Sequence, residues 1–132
     1  MALIDEVTQR FELESELRFA LERDEFVVHY QPVYDLESRT VVGTEALLRW
    51  NHPTRGLIPP SGFIPLAEQT GLIIPIGEFV LETACQQVVD WDGMQPARPR
   101  LGLSVNVSPR QLTRPGFVHF VSQVIADTRL RA

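Results

Sequence analysis

The sequence contains no lysine: all twelve basic residues between Met1 and Ala132 are arginine. Any mechanism that needs a lysine from this chain is therefore excluded. A single cysteine, Cys85, has no partner for an internal disulfide, which fits a reducing, cytoplasmic setting. No basic stretch followed by an apolar core and a small-residue cleavage site opens the chain. The apolar runs fall far below the roughly 18 residues of a membrane span, so any membrane attachment of the parent protein is expected outside this chain. Positive charge is also scarce: 17 acidic residues outweigh 12 arginines, and the net charge of −5 opposes attraction to long nucleic acids. A DNA or RNA polymer is not an expected partner, whereas a small phosphate ligand needs only one well-placed arginine. Glycine-rich phosphate loops of the Walker or dinucleotide type are absent. His29, His52 and His119 lie far apart without metal-ligand spacing and are expected to be ordinary surface or packing residues. Cys85 falls beside the apolar stripe of a helix and is expected to be a packed thiol.

What remains is an ordinary globular composition, 44% hydrophobic and 22% charged, in 132 residues. That length allows one domain with a real core but falls short of the roughly 250 residues of a complete (β/α)₈ barrel. Helical spacing of Phe11, Leu13, Leu17, Ala20 and Leu21 predicts a helix from Val7 to about Glu25, and Met1 to Thr8 reads as its continuation from something upstream. Glu25 to Val33 and Thr40 to Trp50 read as two strands joined by a short turn, hence antiparallel. The second strand alternates, with Val42, Thr44, Ala46, Leu48 and Trp50 on one face and Gly43, Glu45, Leu47 and Arg49 on the other. Asn51 to Pro60 reads as a loop, followed by a short helix over Phe63 to Thr70 with Ser61 as its N-cap and Gly71 as its stop. A longer helix over Pro75 to Asp92 carries Ile76, Phe79, Val80, Ala84, Val88 and Trp91 on one stripe. Leu101 to Val107 is a third strand, parallel to the second because a helical crossover joins them. Pro109 and Pro115 mark an irregular segment. Phe117 to about Arg129 is a last helix with Val118, Val121, Val124 and Ile125 at helical spacing. The order is that of an α/β protein.

Two residues stand out chemically. Glu45 sits in an otherwise apolar strand, where an ionised carboxylate costs several kcal/mol unless paired or metal-bound. Arg49 shares its face but lies roughly 13 Å along the strand, too far to pair directly. Another structural partner or an exposed position would also account for Glu45. Asn106, near the end of the third strand, offers a hard oxygen suited to Mg²⁺, Mn²⁺ or Ca²⁺, although spacing favours a plainer hydrogen bond to the following turn through Ser108.

Four segments in order, Tyr30-Gln31-Pro32-Val33-Tyr34-Asp35-Leu36, Gly43-Thr44-Glu45-Ala46-Leu47-Leu48-Arg49-Trp50, Phe63-Ile64-Pro65-Leu66-Ala67-Glu68 and Ser104-Val105-Asn106-Val107-Ser108, resemble the EAL-domain family of bacterial cyclic di-GMP phosphodiesterases. The resemblance implies a TIM-like (β/α)₈ barrel with an antiparallel first strand, of which this chain holds an N-terminal part at residues 25–132, preceded by a linker helix at residues 1–24. It implies that Glu45 and Asn106 are ligands of Mg²⁺ or Mn²⁺ in the complete domain. Gln31 matches a glutamine lining the site, Leu47 and Pro65 match residues at the guanine region, and Arg49 matches an arginine that contacts a phosphate. The implied reaction is metal-assisted hydrolysis of cyclic di-GMP to linear pGpG in second-messenger signalling.

The family's later motifs, a glutamate on the next strand, an Asp-Asp pair, a lysine and a further glutamate, have no counterpart here. No catalytic residue is therefore assigned within this chain, and the chain alone is expected to be inactive. Glu45 and Asn106 supply two of the six ligands that Mg²⁺ requires, so metal binding is expected to be weak or absent. An upstream regulatory or diguanylate-cyclase-like domain is expected by family analogy. Self-association is expected through strand edges that an incomplete barrel leaves open. The alternative is a non-catalytic dimerisation, partner-binding or weakly nucleotide-binding module derived from such a domain.

Overall fold

The computed structural model describes residues 2–130. In chain order the elements are α1 (Ala2–Ala20), β1 (Phe26–Asp35), β2 (Thr40–His52), β3 (Gly56–Ile58), a 3₁₀ turn (Pro60–Gly62), α2 (Ile64–Thr70), α3 (Ile73–Met94), β4 (Gly102–Val105), α4 (Pro109–Leu112) and α5 (Phe117–Thr128). The fold is mixed helix and strand. β2 is the hub of the sheet, with β1 antiparallel along one edge and both β3, antiparallel, and β4, parallel, along the other. Among the described residues the outer edge of β4 carries no further strand.

The alternation of β2 decides the layers. Thr44, Ala46, Leu48, Trp50 and His52 are all buried, with Trp50 fully so, and they face the helices. From α3, Ile76, Val80, Ala84 and Val88 close over that face, each at most 7% exposed. Phe26, Phe63 and Trp50 form an aromatic triangle with ring centroids 5.7 to 5.9 Å apart. The Trp50 indole N–H donates to Glu25 Oε1 at 3.0 Å, so the buried ring keeps its one polar atom satisfied.

Several expectations are corrected. The first helix spans Ala2–Ala20, and the stretch toward Glu25 is a turn in which Asp24 takes a positive φ of 55°. Of its proposed stripe, Leu17 and Ala20 are buried but Phe11 is 75% exposed, because six residues from Leu17 it lies about 120° around the helix from the packed face; Leu3 and Ile4 are 71% and 61% exposed. The segment from Asn51 to Pro60 is not wholly loop: β2 continues through His52 and Gly56–Ile58 pairs back on it. Ser61 does not cap α2; it lies in the 3₁₀ turn, and Phe63 is the capping position without a side-chain bond. Gly71 stops α2 in the left-handed region, φ 81°, as expected of a glycine C-cap. The helix α3 starts at Ile73 and absorbs Pro75, whose missing N–H costs nothing in a first turn. On α5, Val124 is buried while Val118 is 79% exposed.

The thiol of Cys85 is buried, and burial pushes its pKa up, away from nucleophilic use. Tyr30 packs edge-on against Trp91 at 4.9 Å; among the described residues its hydroxyl has no hydrogen-bond partner, and burial, with Cys85 beside it, pushes its pKa up. At the β1–β2 turn the Ser38 hydroxyl, and then the Glu37 backbone N–H, hold the Asp35 carboxyl below the usual carboxylate range.

Candidate functional site

On the sheet face turned away from the helices, strand register places Gln31 of β1 opposite Glu45 of β2, and Glu45 opposite Ser104 of β4. Three strands thus contribute one polar row. The next residues along β2 on this face are Leu47, opposite His29, and Arg49, opposite Val27. Small residues let the strands close up here: a Cβ at Gly43 would lie 3.0 Å from the carbonyl oxygen of Gly102.

Asn106 lies just past the end of β4, and its Nδ2 donates to Glu45 Oε1 at 3.2 Å across 61 residues of sequence. This corrects the plainer reading of Asn106. Ser108 is already engaged as the N-cap of α4, where its Oγ accepts from Gln111 N and its own N–H donates to Gln111 Oε1, a closed capping box. Half-buried Glu45 therefore has a neutral hydrogen-bond partner, which answers the burial problem raised by its place in the strand. Among the described residues, no ion pair joins Glu45 to Arg49, in keeping with their separation along β2; the Arg49 guanidinium donates instead to the Leu48 carbonyl at 2.8 Å.

A cavity of about 520 Å³ opens beside this row, bounded by β2, α2, α3 and the β4–α4 corner. Leu47, Pro65 and Asn106 line it, so three of the six residues singled out in the sequence meet at one wall. Gln31, Glu45 and Arg49 lie on the sheet face outside that lining. Its interior is mostly apolar, from Ile64, Ile73, Ile76 and Val80, with Ser61 and Glu68 as polar points. Such a cavity suits a flat apolar group held by a few polar contacts. Reading the sequence missed Gln111 as a part of this wall. The signal was present in the Ser108-Pro109-Arg110-Gln111 spacing, which is that of a capping box.

As a cation site the arrangement is partial. Glu45 of β2 and Asn106, just past the end of β4, each carry a hard oxygen, but among the described residues no group of three or more His, Cys, Asp or Glu could hold a metal ion. The donor types fit Mg²⁺ or Mn²⁺, and their number does not complete either ion's shell. His52 and Cys85 lie elsewhere, in the core. No helix among the described residues is long and apolar enough to cross a membrane.

Comparison with known proteins gives the same picture. An uncharacterized protein of Mycobacterium tuberculosis (strain ATCC 25618 / H37Rv) is 43% identical over 128 residues, which is 97% of this chain and 41% of that protein. The bifunctional diguanylate cyclase/cyclic di-GMP phosphodiesterase MucR of Pseudomonas aeruginosa is 43% identical over 117 residues, 89% of this chain and 17% of MucR. Among solved structures, the PaMucR phosphodiesterase in its c-di-GMP complex superposes with a TM-score of 0.85 at 44% identity, covering 90% of this chain and 47% of that one. The chain thus spans less than half the length of these relatives. The EAL domain family model matches residues 14–132, and with the sheet register and cavity described above this chain belongs to the EAL domain family.

Proposed function

We propose that the chain is the N-terminal portion of an EAL-type phosphodiesterase that hydrolyses cyclic di-GMP to linear pGpG in bacterial second-messenger signalling. The observation that carries this reading is the contact of Glu45 with Asn106, which itself lines a cavity together with Leu47 and Pro65. In this reading residues 25–132 are part of a TIM-like barrel whose first strand is antiparallel, and residues 1–24 form a helix leading from an upstream regulatory or diguanylate-cyclase-like domain. Glu45 and Asn106 would hold Mg²⁺ or Mn²⁺ together with ligands from the rest of the domain. A bound divalent ion supplies charge neutralisation at phosphate oxygens and a lowered pKa for the attacking water.

The chain's own residues bind and orient. Leu47 and Pro65 offer apolar surface to a guanine, and Gln31, level with Glu45 across the sheet, offers an amide to the polar side of the ligand. Arg49 has guanidinium donors beyond the one given to Leu48, enough to hold a phosphate in line. Without lysine, and without a group of three or more His, Cys, Asp or Glu that could hold a metal ion among the described residues, the chain alone is expected to be inactive, with weak or absent metal binding. A non-catalytic binding or assembly module is the second reading, favoured by the same incompleteness.

Calorimetry with cyclic di-GMP and Mn²⁺ tests this. The full chain should give a measurable heat that Glu45→Ala abolishes, with no linear product formed by either; identical heats from the two proteins overturn the reading. The outer edge of β4, unpaired among the described residues, also supports self-association, which sedimentation velocity checks as a coefficient that rises with concentration. A concentration-independent monomer removes that part.

A further inference from the structure

We propose that Gln111 is a positioning residue for Asn106, fixing the β4–α4 corner so that the Asn106 amide meets Glu45. The inference rests on the reading of Glu45 and Asn106 as one site. Gln111 belongs to a four-residue helix among exposed neighbours, yet it is only 6% exposed itself. A side chain that serves merely to cap a surface turn has no need of such burial.

The Gln111 side-chain oxygen and its backbone N–H are both committed to Ser108. Its Oε1 accepts the Ser108 N–H at 3.0 Å, and its own backbone N–H donates to Ser108 Oγ at 3.3 Å, closing a ring two residues beyond Asn106. Its amide group fills the space that a side chain on α3 would take at Gly77: a Cβ built there would lie 1.7 Å from Gln111 Nε2 and 2.5 Å from its Cδ. Gly77 is thus the socket and Gln111 the peg. Gln111 lines both the 520 Å³ cavity and a smaller one of about 180 Å³ between α3 and α5.

The segment is braced further out. Arg114 pairs with Glu78 of α3 at 2.6 Å, and Arg110 donates to the Glu68 carbonyl of α2. Between β4, which ends at Val105, and this bracket lie Asn106 and Val107, which belong to no helix or strand. Their course is set from the two ends, and Gln111 sets the second end. Gln111 acts on Asn106 through Ser108 and not by a bond of its own, so its effect on a metal held there is expected at the low end, about 10-fold, of what groups bonded directly to a ligand residue carry.

The test reads the Asn106 side-chain amide by ¹⁵N-resolved NMR in the full chain, without metal or nucleotide. Glu45→Ala defines the position of that amide when its partner is lost. Gln111→Met removes the acceptor while keeping the length, and it should move the Asn106 amide toward the Glu45→Ala position. Gln111→Glu keeps an oxygen for the Ser108 N–H, as the other residue of capping boxes, and should leave the amide in place. In calorimetry with Mn²⁺ and cyclic di-GMP, Gln111→Met should lose about 10-fold in affinity and Gln111→Glu should regain most of it.

If the unsubstituted chain gives no heat, the functional reading falls while the amide shift still decides the positioning role. An unmoved Asn106 amide in folded Gln111→Met overturns the proposal. Should Gln111→Met lose the dispersion of a folded spectrum, Ser108→Ala opens the same ring from its other side; a shifted Asn106 amide then supports the proposal and an unshifted one overturns it.

Discussion

Trp50→Ala is expected to cost about 3–5 kcal/mol, enough to leave much of the chain unfolded at 25 °C. Trp50 is fully buried and is the residue where the layers meet. Its ring touches Phe26 from β1 and Phe63 before α2, and its N–H holds the Glu25 carboxylate where the chain enters β1. Alanine would remove the indole and leave a cavity that two rigid aromatic neighbours on different elements cannot jointly fill. Urea unfolding followed by circular dichroism checks the cost. Trp50→Phe, which keeps a ring and loses the N–H, should lose only about 1–2 kcal/mol. A loss below about 1 kcal/mol for Trp50→Ala would show that the core is not organised around this residue.

His52→Ala should produce the next largest loss, about 2–3 kcal/mol, from unpaired polar groups rather than from volume. His52 is 5% exposed. Its Nδ1 accepts backbone N–H groups from Thr54 at 3.1 Å and Arg55 at 3.0 Å, which sets the tautomer and leaves Nε2–H to donate to Glu16 of α1. One imidazole therefore closes the β2–β3 turn and fastens the helix. His52→Asn can still offer an oxygen to the turn while releasing Glu16, so it should recover about half of the loss. The two functions separate in hydrogen exchange. His52→Asn should raise exchange in the C-terminal turns of α1 and leave β3 protected, whereas His52→Ala should expose both. Equal protection of α1 in all three proteins would show that the buried Leu17 and Ala20 hold the helix without the histidine.

The sheet was legible because its pattern is local. Alternation along Thr40 to Trp50 separates Val42, Thr44, Ala46, Leu48 and Trp50 from Gly43, Glu45, Leu47 and Arg49; the structure buries Thr44, Ala46, Leu48 and Trp50 against the helices, while Val42, near the strand's start, is 45% exposed and Gly43 is buried. The short turn after Asp35 requires an antiparallel pair, and the long crossover through α3 requires a parallel one. The strand at Gly56–Ile58 was not legible, since three residues among prolines carry no periodicity and are held only by register with β2. The burial of α1 was misread at one position: Phe11, six residues before Leu17, lies about 120° around the helix from it and so falls off the face that Leu13, Leu17, Ala20 and Leu21 share.

The candidate site divides in the same way. Glu45 was conspicuous as a carboxylate in an apolar strand, and the family motifs attached roles to Gln31, Leu47, Arg49, Pro65 and Asn106. The partner of Asn106 was misjudged because near neighbours in sequence, such as Ser108, outweigh a residue 61 positions away when only spacing is considered. Gln111 escaped notice because its burial depends on Gly77, a residue on another element.

By itself, then, the sequence determined the strand faces, the parallel and antiparallel pairings, the absence of lysine and the carboxylate that needs a partner. These follow from chirality, side-chain periodicity and composition, which act within a few residues along the chain. Tertiary structure decided which partner Glu45 has, which half of α1 is covered and where a glutamine meets a glycine. Those outcomes depend on the distance between segments after folding, a quantity that no local pattern encodes.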